Sequence, residues 1–230
     1  MSDEESAEQI ASHFAAISQE FPPFEVASLP SYVQTKLKSQ DPPPVVSEYE
    51  TYCKIRAAKK PQSGIPSDLP KDITKEFSPE LSQPVCRIVN NIVKTGQWPE
   101  QWKLEYVTPI GKIPQPESED DLRPISLTAF FSKVTEQFVV MWLLEYIQDK
   151  IDFRQYGGSK GNAITHYLIE FINFILSKQD GNDQVAILAC LVDFSKAFNR
   201  QNHKILITKL CDMGVPGWLL RIVAAFLTGR

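Results

Sequence analysis

The carboxylate of Asp193 follows eight consecutive apolar residues, 185–192, and is followed at once by Phe194-Ser195-Lys196-Ala197-Phe198. An Asp at the carboxyl end of a buried strand is desolvated on one side and open on the other. That placement suits a hard cation such as Mg²⁺ bound beside substrate phosphates. An Asp at a strand end equally caps the next turn, and spacing alone does not separate the two readings. Two cations, Lys112 at the end of a short strand and Arg123 in "LRPIS", flank a loop and could clamp a triphosphate, Arg being the better bidentate partner. Taken singly, each reads as well as a surface charge. The glycine-rich "YGGSKGN" at 156–162 is not a phosphate loop, because Lys160 precedes Gly161 and no Gly-Lys-Ser/Thr comes after it. The four cysteines, Cys53, Cys86, Cys190 and Cys211, form no C-x-x-C pair, and His13, His166 and His203 do not complete a zinc site with them.

The elements that would position these groups can be read from periodicity and punctuation. Residues 4–20 have a helical pattern, "FPPF" and "DPPP" break the next stretch into short pieces, and a second helix runs over 47–60. From Ser78 the signals sharpen: Ser78 as N-cap, Pro79 at the first helical position, an apolar stripe of Leu81, Val85, Ile88 and Ile92, and Gly96 just past the end. "KLEYVTPIGK" reads as a short strand and "PQPESEDDLRP" as an exposed loop. Residues 128–149 read as a long helix burying Phe130, Val134, Phe138, Met141 and Tyr146. Another helix is expected at 162–177, then a central strand at 185–193, then helices at 203–213 and 216–228. The fold class is therefore α+β and helix-rich, with few strands and no internal repeat.

With 230 residues, 43% of them apolar, the chain can build a substantial core. No apolar run approaches the roughly 20 residues of a membrane span, and Met1 opens an acidic segment without a signal-peptide pattern. The expectation is an intracellular protein with reduced thiols, nucleus or cytoplasm not being distinguished. The net charge of −4 argues at face value against a nucleic-acid partner. Six of the 28 acids and none of the 24 basic residues fall in 1–30, however, so the remainder carries +2. That is permissive of nucleic acid without requiring it.

Taken in order, "GQWPEQWKLEYVTPIGKI", "DLRPISLTAFFSKVTEQ", "RQYGGSKGNAITH", "LVDFSKAFNR" and "HKILITKLCDMGVPGWLLRIVAAFLTGR" resemble successive early motifs of the reverse transcriptase domain of non-LTR (LINE-type) retrotransposons. The resemblance covers residues 64–230, and several motifs in the same order are far more specific than any one of them. It implies a partial right-hand polymerase, fingers plus first palm strand. Residues 1–60 would be an acidic helical lead-in, 61–180 the fingers region, and 181–230 the start of the palm, ending before the Tyr-Ala-Asp-Asp hairpin. It also implies an RNA-directed DNA polymerase using Mg²⁺, an RNA template, a DNA primer and deoxynucleoside triphosphates. By the same resemblance, Asp193 would ligate the catalytic Mg²⁺ ions with help from the backbone carbonyl of Phe194. Phe198 would match the steric gate against a ribonucleotide 2′-hydroxyl, and Arg123 and Lys112 the triphosphate grip.

This sequence departs from the family in Asn199, where Asp is usual, and in Gly158-Ser159-Lys160, where a Phe-Arg or Gly-Arg pair is usual. Both departures are consistent with a decaying element copy. One carboxylate cannot hold two metals, so the resemblance makes Asp193 one of three metal-binding aspartates and predicts no polymerase activity for this chain alone. The alternative is a truncated or co-opted module that binds nucleic acid or a protein without catalysis. No membrane partner is expected, and nothing in the sequence names a protein partner.

Overall fold

Pro79 and Gly96 bracket a helix of 18 residues against which three other helices pack. A computed structural model describes residues 3–18, 21–58, 69–158, 163–180, 186–194, 197 and 199–229. Among them are ten helices and one two-stranded antiparallel sheet, a helix-rich α+β architecture. The order is α1 (Asp3–Ser18), α2 (Ser31–Leu37), α3 (Glu48–Ala57), α4 (Lys71–Glu76), α5 (Ser78–Thr95), α6 (Glu100–Lys103), β1 (Glu105–Gly111), β2 (Leu122–Thr128), α7 (Phe130–Ile147), α8 (Ile164–Gln179), α9 (His203–Asp212) and α10 (Gly217–Leu227). None of these helices is long and apolar enough to cross a membrane. The chain divides into a larger unit, Met1–Tyr146 with Phe198–Arg230, and a smaller one, Ile147–Ala197.

Local chemistry explains the helix boundaries. Ser47 and Glu50 form a reciprocal capping box at the start of α3: the Ser47 N–H donates to Glu50 Oε2 at 2.8 Å, and the Glu50 N–H donates to Ser47 Oγ at 3.2 Å. These hydrogen bonds hold the Glu50 carboxyl below its usual range, the side-chain bond with Ser47 contributing most. Gly96 ends α5 with φ 74°, a left-handed conformation that costs glycine nothing, and its N–H reaches Ile92 O at 2.7 Å.

Ser78 differs from expectation: it is the first helical residue rather than the cap, and its hydroxyl donates to Lys75 O because α4 runs almost directly into α5. The buried stripe of α5 is also rotated. Val85 and Ile92 are buried as expected, but the rest of the face is Ser82, Cys86, Val89 and Val93, while Ile88 is 38% exposed. Cys86 meets the chain entering α3, its Sγ donating to Val46 O at 3.3 Å. Asn90 there brackets Val46, accepting its N–H at 2.8 Å and donating to its carbonyl at 2.9 Å.

The core of the larger unit lies where α10 packs against α2, α5 and α9, with α3 on α5. Trp98 Nε1–H donates to Ile222 O at 3.0 Å, and the Arg221 guanidinium donates to Leu37 O and Ser39 O at 2.8 and 2.7 Å. These carbonyls at the end of α2 would otherwise lack partners. Trp142 of α7 meets Trp218 of α10 edge-on, 5.4 Å between ring centroids. Phe130, Val134 and Phe138 are buried in α7 as expected. Met141 and Tyr146 are not, because the helix turns Val139 and Trp142 inward instead.

Two expectations about strands need correcting. The sequence places "LRP" in a loop, but Leu122, Arg123 and Pro124 belong to β2, which pairs along its whole length with β1. Pro124 masks the strand in sequence because proline normally breaks a ladder. Here Pro109 and Pro124 sit directly opposite each other, where the missing N–H groups would point outward from a two-stranded sheet. The central strand expected at 185–193 is absent among the described residues. Residues 186–194 have no regular structure, and Leu188, Leu191 and Val192 are 96%, 90% and 74% exposed. Strand-forming side chains do not make a strand without a neighbour to receive the backbone hydrogen bonds, and no described segment pairs with this one.

Candidate functional site

The β1–β2 register decides how the two expected cations relate. Ile110 lies opposite Arg123, and the ladder continues one residue beyond Gly111, the Lys112 N–H donating to Asp121 O at 2.7 Å. Residues two apart on a strand share a face, so Lys112 and Arg123 project from the same side of the hairpin as diagonal neighbours, about 7–8 Å apart at the backbone. Arg123 is exposed and its side chain has no hydrogen bond or ion pair with a described residue, which leaves its fork of donors open to an anion. The Lys112 ammonium donates to the carbonyl of Asp120 and would have to release it to engage a ligand.

The turn that sets this geometry is built by Asp121. Its carboxylate accepts from the N–H groups of Glu117 and Ser118 at 3.2 and 3.1 Å and from the Ser118 hydroxyl at 3.1 Å. The Glu117 N–H is the largest influence holding that carboxyl below its usual range, and the nearby Lys112 charge adds to it. The Ser-x-x-Asp spacing of 118–121 is a legible capping signature, but "PESEDD" reads at first as undifferentiated acidic loop.

The opposite face of the hairpin borders a cavity of about 730 Å³, lined there by Glu105, Pro124 and Ser126 and across from them by Phe24, Asn202 and His203. Asn202 caps α9, its side chain accepting from the Ile205 N–H at 3.1 Å. His203 stands edge-on to Phe24 at 6.1 Å, and burial pushes its pKa below the ordinary imidazole value. The unfolded chain therefore binds the proton more readily than the folded one. The contribution of neutral His203 is complete above the ordinary value of about 6.5 and is lost as pH falls through the lowered folded-state value. Urea midpoints measured from pH 7.5 downward are expected to decline over that window, and His203→Gln should flatten the decline.

Asp193 and Phe194 fall in the smaller unit, Ile147–Ala197, within the exposed irregular stretch 186–194. Asp193 makes no hydrogen bond or ion pair with a described residue, and no group of three His, Cys, Asp or Glu side chains among the described residues could hold a metal ion. As a hard oxygen ligand Asp193 suits Mg²⁺, but these residues do not by themselves form a Mg²⁺ site. Phe198, Ser159 and Lys160 lie outside the described residues. Thus the hairpin register places Lys112 and Arg123 near each other, while Asp193 belongs to no group of three potential metal ligands among the described residues.

No protein-family model matches the chain. Among curated proteins, a probable RNA-directed DNA polymerase from transposon BS of Drosophila melanogaster is 27% identical over 146 residues, covering 62% of this chain and 16% of the relative. A probable RNA-directed DNA polymerase from transposon X-element of the same fly is 28% identical over 146 residues with the same coverage. The chain thus spans only 16% of the length of either relative. What the comparison establishes is a distant, partial similarity to the RNA-directed DNA polymerases of transposons.

Proposed function

We propose that this chain is the amino-terminal part of a non-LTR retrotransposon reverse transcriptase, contributing fingers and the start of the palm to template-directed nucleotidyl transfer. The observation that carries this reading is the similarity to two transposon polymerases, and the shared face of Lys112 and Arg123 supports it. In the reaction a primer 3′-oxygen bonds to the α-phosphorus of a deoxynucleoside triphosphate, the bridging P–O bond breaks, and pyrophosphate leaves. Little covalent help is required of the protein, so positioning and charge stabilisation dominate. Arg123, and Lys112 once freed from Asp120, would grip the triphosphate. Phe198 would occupy the space of a 2′-hydroxyl. Mg²⁺ supplies the charge that stabilises the attacking and leaving oxygens. Asp193 and the Phe194 carbonyl would be ligands to it among the described residues, completed by further acids.

The test replaces the matching segment of the fly transposon BS polymerase with this chain. Deoxynucleotide incorporation is then measured on a primed RNA template with Mg²⁺. Incorporation well above that of the fly enzyme lacking the segment is expected. Arg123→Ala should raise the KM for nucleotide about 10- to 100-fold, the worth of one or two charged hydrogen bonds. Phe198→Val should let ribonucleotides compete. A folded chimaera without incorporation counts against the proposal.

A further inference from the structure

The turn between β1 and β2 carries four acids, Glu117, Glu119, Asp120 and Asp121, between Lys112 and Arg123 in sequence. Carboxylates that close to two cations tend to pair with them and neutralise the surface. Here neither the Lys112 ammonium nor the Arg123 guanidinium makes an ion pair with a described residue. The Asp121 carboxylate is engaged by the N–H groups of Glu117 and Ser118. The two acids before it are engaged by α1. Gln9 donates through Nε2 to the Glu119 carboxylate, 110 residues away in sequence, and His13 sets its Nε2 3.6 Å from Asp120 Oδ1.

Gln9 and His13 stand four residues apart and so share one face of α1. Phe14, beside His13, is the buried residue of that helix among those described. The His13 Nε2 atom is itself buried and makes no hydrogen bond among the described residues. A buried polar atom needs a partner, and the Asp120 carboxylate is the charge that faces this one.

We infer that α1 keeps the anion-gripping face of the hairpin positively charged: Gln9 and His13 are positioning residues that hold the Glu119 and Asp120 carboxylates away from Lys112 and Arg123. The inference rests on reading those two cations as a triphosphate grip. Its physical basis is a competition for Lys112. The ammonium already touches the backbone carbonyl of Asp120, so the carboxylate of the same residue needs only a side-chain rotation to reach it. A carboxylate holds an ammonium about twice as strongly as a neutral carbonyl does. With α1 seated, Lys112 gives up only the neutral acceptor when a phosphate arrives. With α1 loosened it would give up a carboxylate, and the phosphates would meet two more free negative charges.

The experiment titrates the full chain with inorganic triphosphate at low ionic strength, followed by calorimetry. Gln9→Ala combined with His13→Ala should weaken binding about two- to fivefold, the size of one exposed ion pair, and high salt should shrink the loss. Gln9→Ala alone, at an exposed position, should act in the same direction and guards against misfolding of the pair. Glu119→Gln combined with Asp120→Asn gives the readout that a merely structural role would not move. In that background no charge remains to be released, so adding the two α1 substitutions should leave the affinity unchanged.

Unaltered binding in the α1 variants would overturn the inference, as would tighter binding, because α1 would then obstruct the cations. A weakening that persists once Glu119 and Asp120 are neutralised would overturn it too, since lost packing would be the cause. Arg123→Gln separates the role of α1 from the grip itself. Triphosphate binding that Arg123→Gln removes and the α1 variants do not would leave the grip standing and overturn the role of α1, whereas no binding by wild type would overturn both.

Discussion

Gly217→Ala is expected to unfold the larger unit at markedly lower urea than wild type. Gly217 opens α10 where that helix crosses the end of α2, and a Cβ built there would lie 2.0 Å from Lys36 O and 2.1 Å from Ser39 Oγ. The hydroxyl could rotate away, but the carbonyl cannot: it belongs to the last turn of α2 and accepts the Ser39 N–H at 3.1 Å. Relief requires moving backbone by an ångström or more, at the expense of the Arg221 bonds to Leu37 O and Ser39 O. Overpacking costs about 1–3 kcal/mol where side chains can give way, and a backbone obstruction belongs at the upper end or above. The helix-propensity gain of alanine over glycine, about 1 kcal/mol, opposes this and is smaller. Against a total stability of about 5–15 kcal/mol the loss is large. Urea unfolding monitored by circular dichroism measures it, and an unchanged midpoint would mean that α10 enters differently.

Asp193→Asn is expected to abolish incorporation in the chimaera while leaving its stability untouched. Asp193 is exposed and bonds to no described residue, so exchanging its charged oxygen for an amide removes no folding contact. Surface substitutions of that kind stay within about 0.5 kcal/mol. If it is a Mg²⁺ ligand, the amide loses the charge that binds the cation, and several kcal/mol of transition-state stabilisation amounts to on the order of 10³-fold or more in rate. Primer extension and urea midpoint are measured on the same preparation. Near-normal extension would remove Asp193 from the metal-binding role, and a lowered midpoint would show that its charge serves the fold.

Helix ends were legible in the sequence wherever a local bond defines them. Pro79, Gly96 and the onset at Ser47 carry their own stereochemistry, and all three mark boundaries within a residue. Faces were less legible, because they depend on what packs opposite. Ile88 and Met141 satisfy a helical period as well as Val89 and Trp142 do, yet only the latter meet a neighbour. Strands were least legible. Pro124 reads as a break until Pro109 is seen across from it, and 186–194 reads as a core strand although no described neighbour receives it. The joint placement of Lys112 and Arg123 depends on the unseen β2 and could not be derived without it. Gly217 shows the same limit: its need for hydrogen in place of a side chain is set by Lys36, remote in sequence.

The division of the chain also governs when the larger unit can form. Met1–Tyr146 and Phe198–Arg230 form one unit, and Ile147–Ala197 separates them in sequence. On a ribosome, which adds roughly 5–20 residues each second, α2 and α5 emerge well before α10 exists to cover them. For several seconds the faces of α2 and α5 that meet α10 have no lid, and the Trp98 indole waits for a carbonyl 124 residues downstream. Contacts this distant in sequence are slow to close and leave apolar surface open to other nascent chains meanwhile. A ribosome halted before α10 would therefore release a product whose earliest helices had already been made and still could not be buried.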